Sequence, residues 1–218
     1  MPLTVRRHPR ARRIVLRLAT SGGGAVATIP AGASFEDGVA LAVAHAGWIL
    51  GRLAAVPARV PFAAGAVLPF LGHDHRLRHH ARSVPAVRRE EGEIIVAGRA
   101  EDLPRRVGDW LRRQARSEIG PRVDDKAAAL GRTPGRITVR DPRSRWGSCS
   151  AAGNLSFSWR LVMAPALVLD YVVAHEVAHL AHRDHGPRFW HTVAGLTEDM
   201  DEGRAWLSRH GRGLHRYG

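Results

Sequence analysis

The stretch "VVAHEVAHLAHRDHG", residues 172–186, sets four histidines and a glutamate in an otherwise apolar run. Imidazoles and carboxylates are costly to bury unless something pairs with them. Upstream, Leu167, Val168, Leu169, Val172 and Val173 continue a helical pattern, with Pro165 suited to its first turn and an end expected near His182. Within this helix His175 and His179 are four residues apart, on one face and about one turn from each other. Two rings so related can converge on one tetrahedral zinc, and Glu176 beside the first can reach water at the ion instead of the ion itself. This is the H-E-x-x-H arrangement, here "HEVAH". In a chain of this composition, random placement yields the pattern about 0.03 times. A core reading of the same residues needs a separate hydrogen-bond partner for each buried polar side chain.

A catalytic zinc takes three protein ligands and keeps one position open. His182 shares the helical face but lies about 10.5 Å from His175 along the axis, too far for bonds of about 2 Å to meet at one ion. His185 lies six residues beyond His179, where Gly186-Pro187 signals a turn that can fold a ring back. The same step separates the second and third ligands of metzincins. The expected ligands are therefore His175, His179 and His185, with His182 as a neighbour. Asp184 could orient a ligand ring. Phe189 and Trp190 are expected to anchor the turn from the core.

Outward from the histidine helix, "NLSFSWR" (154–160) alternates as a strand, with Leu155, Phe157 and Trp159 on one side. Its polar edge could accept an extended peptide by strand addition. "RITVR" (136–140) is a second strand. "RWGS" should approach the metal from a neighbouring strand, which makes Arg145 the candidate donor for an oxyanion. Cys149 reads as a small packing residue.

Earlier in the chain, Leu103, Val107, Trp110 and Leu111 mark a helix to about Leu130, expected to break near Gly120-Pro121. Strands are expected at 66–71, 74–78, 84–88 and 93–97, and two or three more over 3–29. Ser34 with Asp37 forms a capping box for a helix to about Ala55. "HDHRLRHH" (73–80) carries four histidines but lacks the acids or cysteines of a second metal site, so it reads as a solvated basic strand. Tyr217 is expected in a frayed tail. The fold class is α+β, with a strand-rich region over 1–100 containing one helix and a metal-binding domain over 101–218. Later helices are expected near 189–194 and 202–209.

With 218 residues and 44% hydrophobic side chains, the chain suits one sizeable domain or two small ones. The single cysteine rules out an intrachain disulfide and fits a cytoplasmic setting. The net charge of +13 permits a nucleic-acid partner. However, Lys126 is the only lysine among 33 basic residues, and the arginines are spread along the whole chain, as GC-rich codon usage would spread them. The Arg-rich start "MPLTVRRHPRARRIVLRLAT" lacks the apolar core of a signal peptide. Gly38–Val56 carries His45 and Arg52 and is rich in small residues, so no membrane span is expected.

"RWGSCSAAGNLSFSWRLVMAP" followed by "LDYVVAHEVAHLAHRDHGPRFW" resembles the YgjP-like metallopeptidase domain, a relative of SprT-type zinc proteases. The motifs fall within 145–190, and the strand-rich first half is also typical. The resemblance implies a zincin-like core of helices on a small sheet and a Zn2+ cofactor. It further implies metal ligands at His175, His179 and His185, with Glu176 as the general base acting on a polypeptide substrate. Asp184 stands where Asn is usual and Gly186 where Ser would cap the next helix, departures that touch the turn but not the ligands. Because some members are described as nucleoside triphosphate (UTP) pyrophosphatases, a nucleotide is the alternative substrate. A DNA-associated SprT-like protease module is the second alternative.

Overall fold

A computed structural model describes residues 2–18, 24–54, 58–81 and 87–218. The chain forms two compact units, Met1–Ala58 and Arg59–Gly218. The strand-rich stretch expected as one region over 1–100 is therefore shared between them. The physical reason is that the strands after residue 66 bury their apolar side chains in the same core as the later helices.

In the first unit, β1 (Leu3–Arg7), β2 (Val15–Leu18) and β3 (Ala25–Ile29) form a sheet of order β1-β3-β2, with β1 parallel and β2 antiparallel to β3. The Ser34 hydroxyl accepts from the Asp37 N–H (3.1 Å), and the Asp37 carboxylate accepts from the Ser34 N–H (2.8 Å). This reciprocal cap opens α1 (Phe35–Ala44). The single helix expected to Ala55 is instead two, because His45 leaves helical geometry (φ −105°, ψ 17°) before α2 (Ala46–Ala54). Ala55 itself, like residues 19–23 within the expected strand region over 3–29, lies outside the described residues. Ile29, Ile49 and Ala42 are buried in this unit.

The second unit begins with β4 (Val67–Phe70), β5 (His73–His80), β6 (Val87–Glu90) and β7 (Glu93–Ala97), ordered β4-β5-β7-β6 with β5 parallel to β7. Both hairpins turn on two residues with positive φ, Leu71-Gly72 and Glu91-Gly92, the geometry that matches strand twist. Part of the strand expected at 84–88 lies outside the described residues. β5 is not solvated on both faces as expected. His75 and Leu77 point inward, and the His75 ring meets Phe70 edge-on at 6.0 Å.

α3 (Leu103–Ala129) runs unbroken through Pro121. Val107, Leu111, Ile119 and Val123 are fully buried along it, and tertiary burial outweighs the lost bond at the proline. Arg122 also donates to the Glu118 carbonyl and carboxylate, each at 2.7 Å, which supports the altered turn. β8 (Ile137–Arg140), β9 (Gly147–Cys149) and β10 (Leu155–Ser158) follow in the order β8-β10-β9, with β8 parallel and β9 antiparallel to β10. β10 is shorter than expected because the Ser158 hydroxyl accepts from the Arg160 N–H (3.3 Å) and starts a 3-10 turn over Trp159–Met163. Then come α4 (Ala166–Ala178), α5 (Pro187–Leu196) and α6 (Met200–His210). Pro165 caps α4 from outside its first turn.

The final residues are docked, contrary to the frayed tail expected at Tyr217. Buried Arg160 pairs with Asp141 (2.8 Å) and donates to the carbonyls of Leu214 (3.0 Å) and Tyr217 (2.7 Å). Val60 pairs with Tyr217, the Gly218 N–H donates to the Val60 carbonyl (3.0 Å), and the Arg59 guanidinium donates to the Gly218 carbonyl (2.8 Å). Among the described residues, no helix is long and apolar enough to cross a membrane.

Candidate metal centre

α4 ends at Ala178, one turn earlier than its apolar pattern suggests, and His179 sits at its C-cap. The chain then turns tightly, with the His182 N–H donating to the Ala178 carbonyl (3.0 Å). The His182 carbonyl in turn accepts from Nδ1 of His179 at 2.9 Å. Since a carbonyl can only accept, Nδ1 carries the proton and Nε2 keeps its lone pair. His182 therefore serves through its backbone, and its ring lies outside the histidine cluster. Asp184 does not orient a ring. Its carboxylate accepts from the Gly186 N–H (3.0 Å) and holds the bend before α5.

That bend brings His185 back to the helix. One nitrogen from each of His175, His179 and His185 lies within 4.8 Å of the others. Nε2 of His175 and Nε2 of His185 are 3.2 Å apart. Phe189 is fully buried beneath all three rings, with centroids 4.9, 4.6 and 4.7 Å from those of His175, His179 and His185. Trp190 flanks His175 and His185 at 5.8 Å.

Burial holds the His175 imidazole down at about 4, with the neighbouring His179 and His185 adding to the effect. His179 is lowered for the same first reason. The two rings are thus neutral at physiological pH, the state in which imidazole ligates a cation. The Nε2 atoms of His175 and His185, 3.2 Å apart, are close enough to share one cation through their lone pairs. This donor set fits a single metal ion.

Beside the rings, Glu176 is buried (6% exposed), and burial pushes its carboxyl up to about 7 against the opposing charge of Arg145. The carboxylate lies directly under β9. A Cβ on Gly147 would fall 2.4 Å from Glu176 Cγ and 2.6 Å from Oε1, so only glycine allows this approach. Sequence reasoning missed that role for Gly147, although the "RWGS" motif pointed to the strand. Arg145 stands exposed at the rim of a groove of about 350 Å³, lined also by Gly147, Ser148, Cys149, Glu176, Arg183 and the three histidines. Burial and Glu176 push the Cys149 thiol up, away from thiolate reactivity.

The polar edge of β10, considered above for strand addition, is taken on both sides by β8 and β9. The edge available next to the histidines belongs to β9. Trp146 and Ser150 bond β10 through their backbones, so by alternation the N–H and C=O groups of Gly147 and Cys149 face away from the sheet.

In metal-free Glu176→Gln protein, which lacks the opposing stabilisation from protonating a carboxyl raised to about 7, acidification should destabilise the fold. The folded state disfavours protonated His175, so its contribution is complete above the unfolded value of 6.5 and is lost as pH falls towards about 4. The loss is about 1–2 kcal/mol once solvent screening is allowed for. Circular dichroism melts across this pH range in the presence of a chelator measure it. An unchanged Tm between pH 7 and pH 5 would show the rings to be freely solvated.

The sequence model of a family described as YgjP-like, metallopeptidase domain, matches residues 12–210. No curated protein and no solved structure matches the chain significantly.

Proposed function

The chain belongs to the YgjP-like metallopeptidase-domain family, and from that premise we propose that it is a zinc-dependent peptidase in which Glu176 is the general base. The observation that carries this reading is the convergence of three imidazole nitrogens within 4.8 Å, next to a buried carboxylate. Three imidazoles suit zinc better than the oxygen-seeking magnesium. Nitrogens at about 2.0–2.1 Å from a tetrahedral zinc lie about 3.3 Å apart, close to the 3.2 Å between His175 and His185.

His175, His179 and His185 would hold the ion, which when bound supplies Lewis acidity to a water molecule and to the scissile carbonyl. The Glu176 carboxylate takes a proton from the attacking water, helped by an affinity raised to about 7, and passes it to the leaving amine nitrogen. Arg145 offers positive charge at the rim to the developing oxyanion. The outward N–H and C=O groups of Gly147 and Cys149 pair with an extended substrate, which aligns its backbone alongside Glu176. Among the described residues no Phe, Tyr or Trp side chain lines the groove. The outward-facing edge of β9 and the metallopeptidase-domain family match favour a polypeptide over a nucleotide.

The test is hydrolysis of an unstructured polypeptide by protein of measured metal content. Activity should disappear on chelation and return with one equivalent of zinc. Fully zinc-loaded protein that releases no new amino termini would defeat the proposal.

A further inference from the structure

The sheet β8-β10-β9 has two unlike faces. Leu155 and Phe157 point into the core, with Ile137 and Val139 packed against it. The opposite face carries a cross-strand row of hydroxyls, Thr138, Ser156 and Ser148, paired in register. On β8, Arg140 alternates with Val139 and so shares this face, and Arg136 precedes the strand at the same period. Together with Arg145 these groups line an open groove of about 730 Å³.

None of Arg136, Arg140 and Arg145 has a carboxylate within 4.0 Å among the described residues. The acid that lines the groove, Asp141, is engaged by Arg160 at 2.8 and 3.3 Å. The groove therefore presents Arg136 and Arg140 with no carboxylate within 4.0 Å among the described residues, and Arg145, whose charge also acts on Glu176, beside hydroxyls that can donate or accept. It is also continuous with the metal centre, because Arg145, Gly147, Ser148 and Cys149 line both grooves.

We propose that this outer sheet face binds an acidic segment of the polypeptide substrate, whose carboxylates pair with Arg136 and Arg140 after the chain has passed from the histidine groove over Arg145. The proposal rests on the peptidase reading and names the class of substrate that this reading leaves open. Guanidinium forks match carboxylate geometry, and the row of hydroxyls suits backbone amides. A nucleic-acid strand would share the charge complementarity. Among the described residues no Phe, Tyr or Trp side chain lines this groove to stack single-stranded bases, and an oligothymidylate serves as the competing ligand in the test.

The experiment measures binding and hydrolysis separately. Fluorescein-labelled unstructured peptides that share one central sequence, flanked by glutamates or by lysines, are titrated with zinc-loaded protein and followed by anisotropy. The Glu-flanked peptide is expected to bind tighter, with an affinity that falls as salt rises. Its affinity should drop about tenfold or more in an Arg136→Glu/Arg140→Glu variant. Arg136→Gln/Arg140→Gln, which removes charge without adding repulsion, should lie between, and it stands in if the first variant melts early. In hydrolysis, the ratio of kcat/KM for the Glu- and Lys-flanked peptides should invert in the charge-reversed protein, a readout that cancels any general loss of activity.

Equal binding of the two peptides, or an affinity unmoved by both variants, would overturn the proposal. So would an oligothymidylate that binds tighter than the Glu-flanked peptide and responds to the same substitutions. If no peptide is cleaved while acidic binding follows the arginines, the peptidase reading fails and the anionic-peptide surface stands.

Discussion

Glu176→Gln is expected to reduce peptide hydrolysis by about 10²–10⁴-fold in kcat while the metal content stays at that of the unaltered protein. The amide keeps the size of the side chain, so the close approach of Gly147 to Glu176 Cγ is preserved. The amide cannot accept a proton, and the water and the leaving amine lose their carrier. Because Glu176 lies within the histidine helix and is not one of the three converging groups, metal affinity should be unaffected. Metal analysis by mass spectrometry beside kinetics on one peptide separates these effects. A variant that keeps more than about a tenth of its kcat would show that proton transfer belongs to another group.

The second large effect concerns the ion. His185→Ala should strip the protein of its metal under dialysis conditions in which His182→Ala stays loaded. Altering only the hydrogen-bond partners of metal ligands costs about 10–100-fold in affinity, and losing one of three ligands costs more. His182 contributes its carbonyl to Nδ1 of His179, and an alanine retains that carbonyl. The contrast between neighbouring histidines three residues apart is what makes the measurement decisive. Metal loss in His182→Ala alone would redraw the centre around a different ring.

Much of the histidine constellation could be read from spacing, because an i, i+4 pair on a helix has one geometry and a glycine-proline bend has few. The YgjP-like family model matches residues 12–210, most of the chain, whereas the motifs that carry the resemblance fall within 145–190. What escaped the sequence depends on contacts between distant segments. Gly147 matters because a strand 29 residues upstream lies on Glu176, and nothing local to "RWGS" reveals how close that approach is. The end of α4 at Ala178 is set by the bond from His179 to the His182 carbonyl, which competes with helical continuation in a run whose apolar pattern continues to Leu180. Pro121 did not break α3, because burial along both neighbouring turns outweighs local preference. Tyr217 looked free only because its partners, Val60 and Arg160, are far away in the chain.

The pairing of Val60 with Tyr217 brings the entry and exit of the second unit side by side, so this unit is topologically almost a ring. A peptide link across that seam would need only a short spacer, and the backbone could then be opened at an exposed turn elsewhere without parting the histidines from Glu176. Tension applied at the two extremities would likewise be met first by a few hydrogen bonds at the seam, with the core loaded only after they give way.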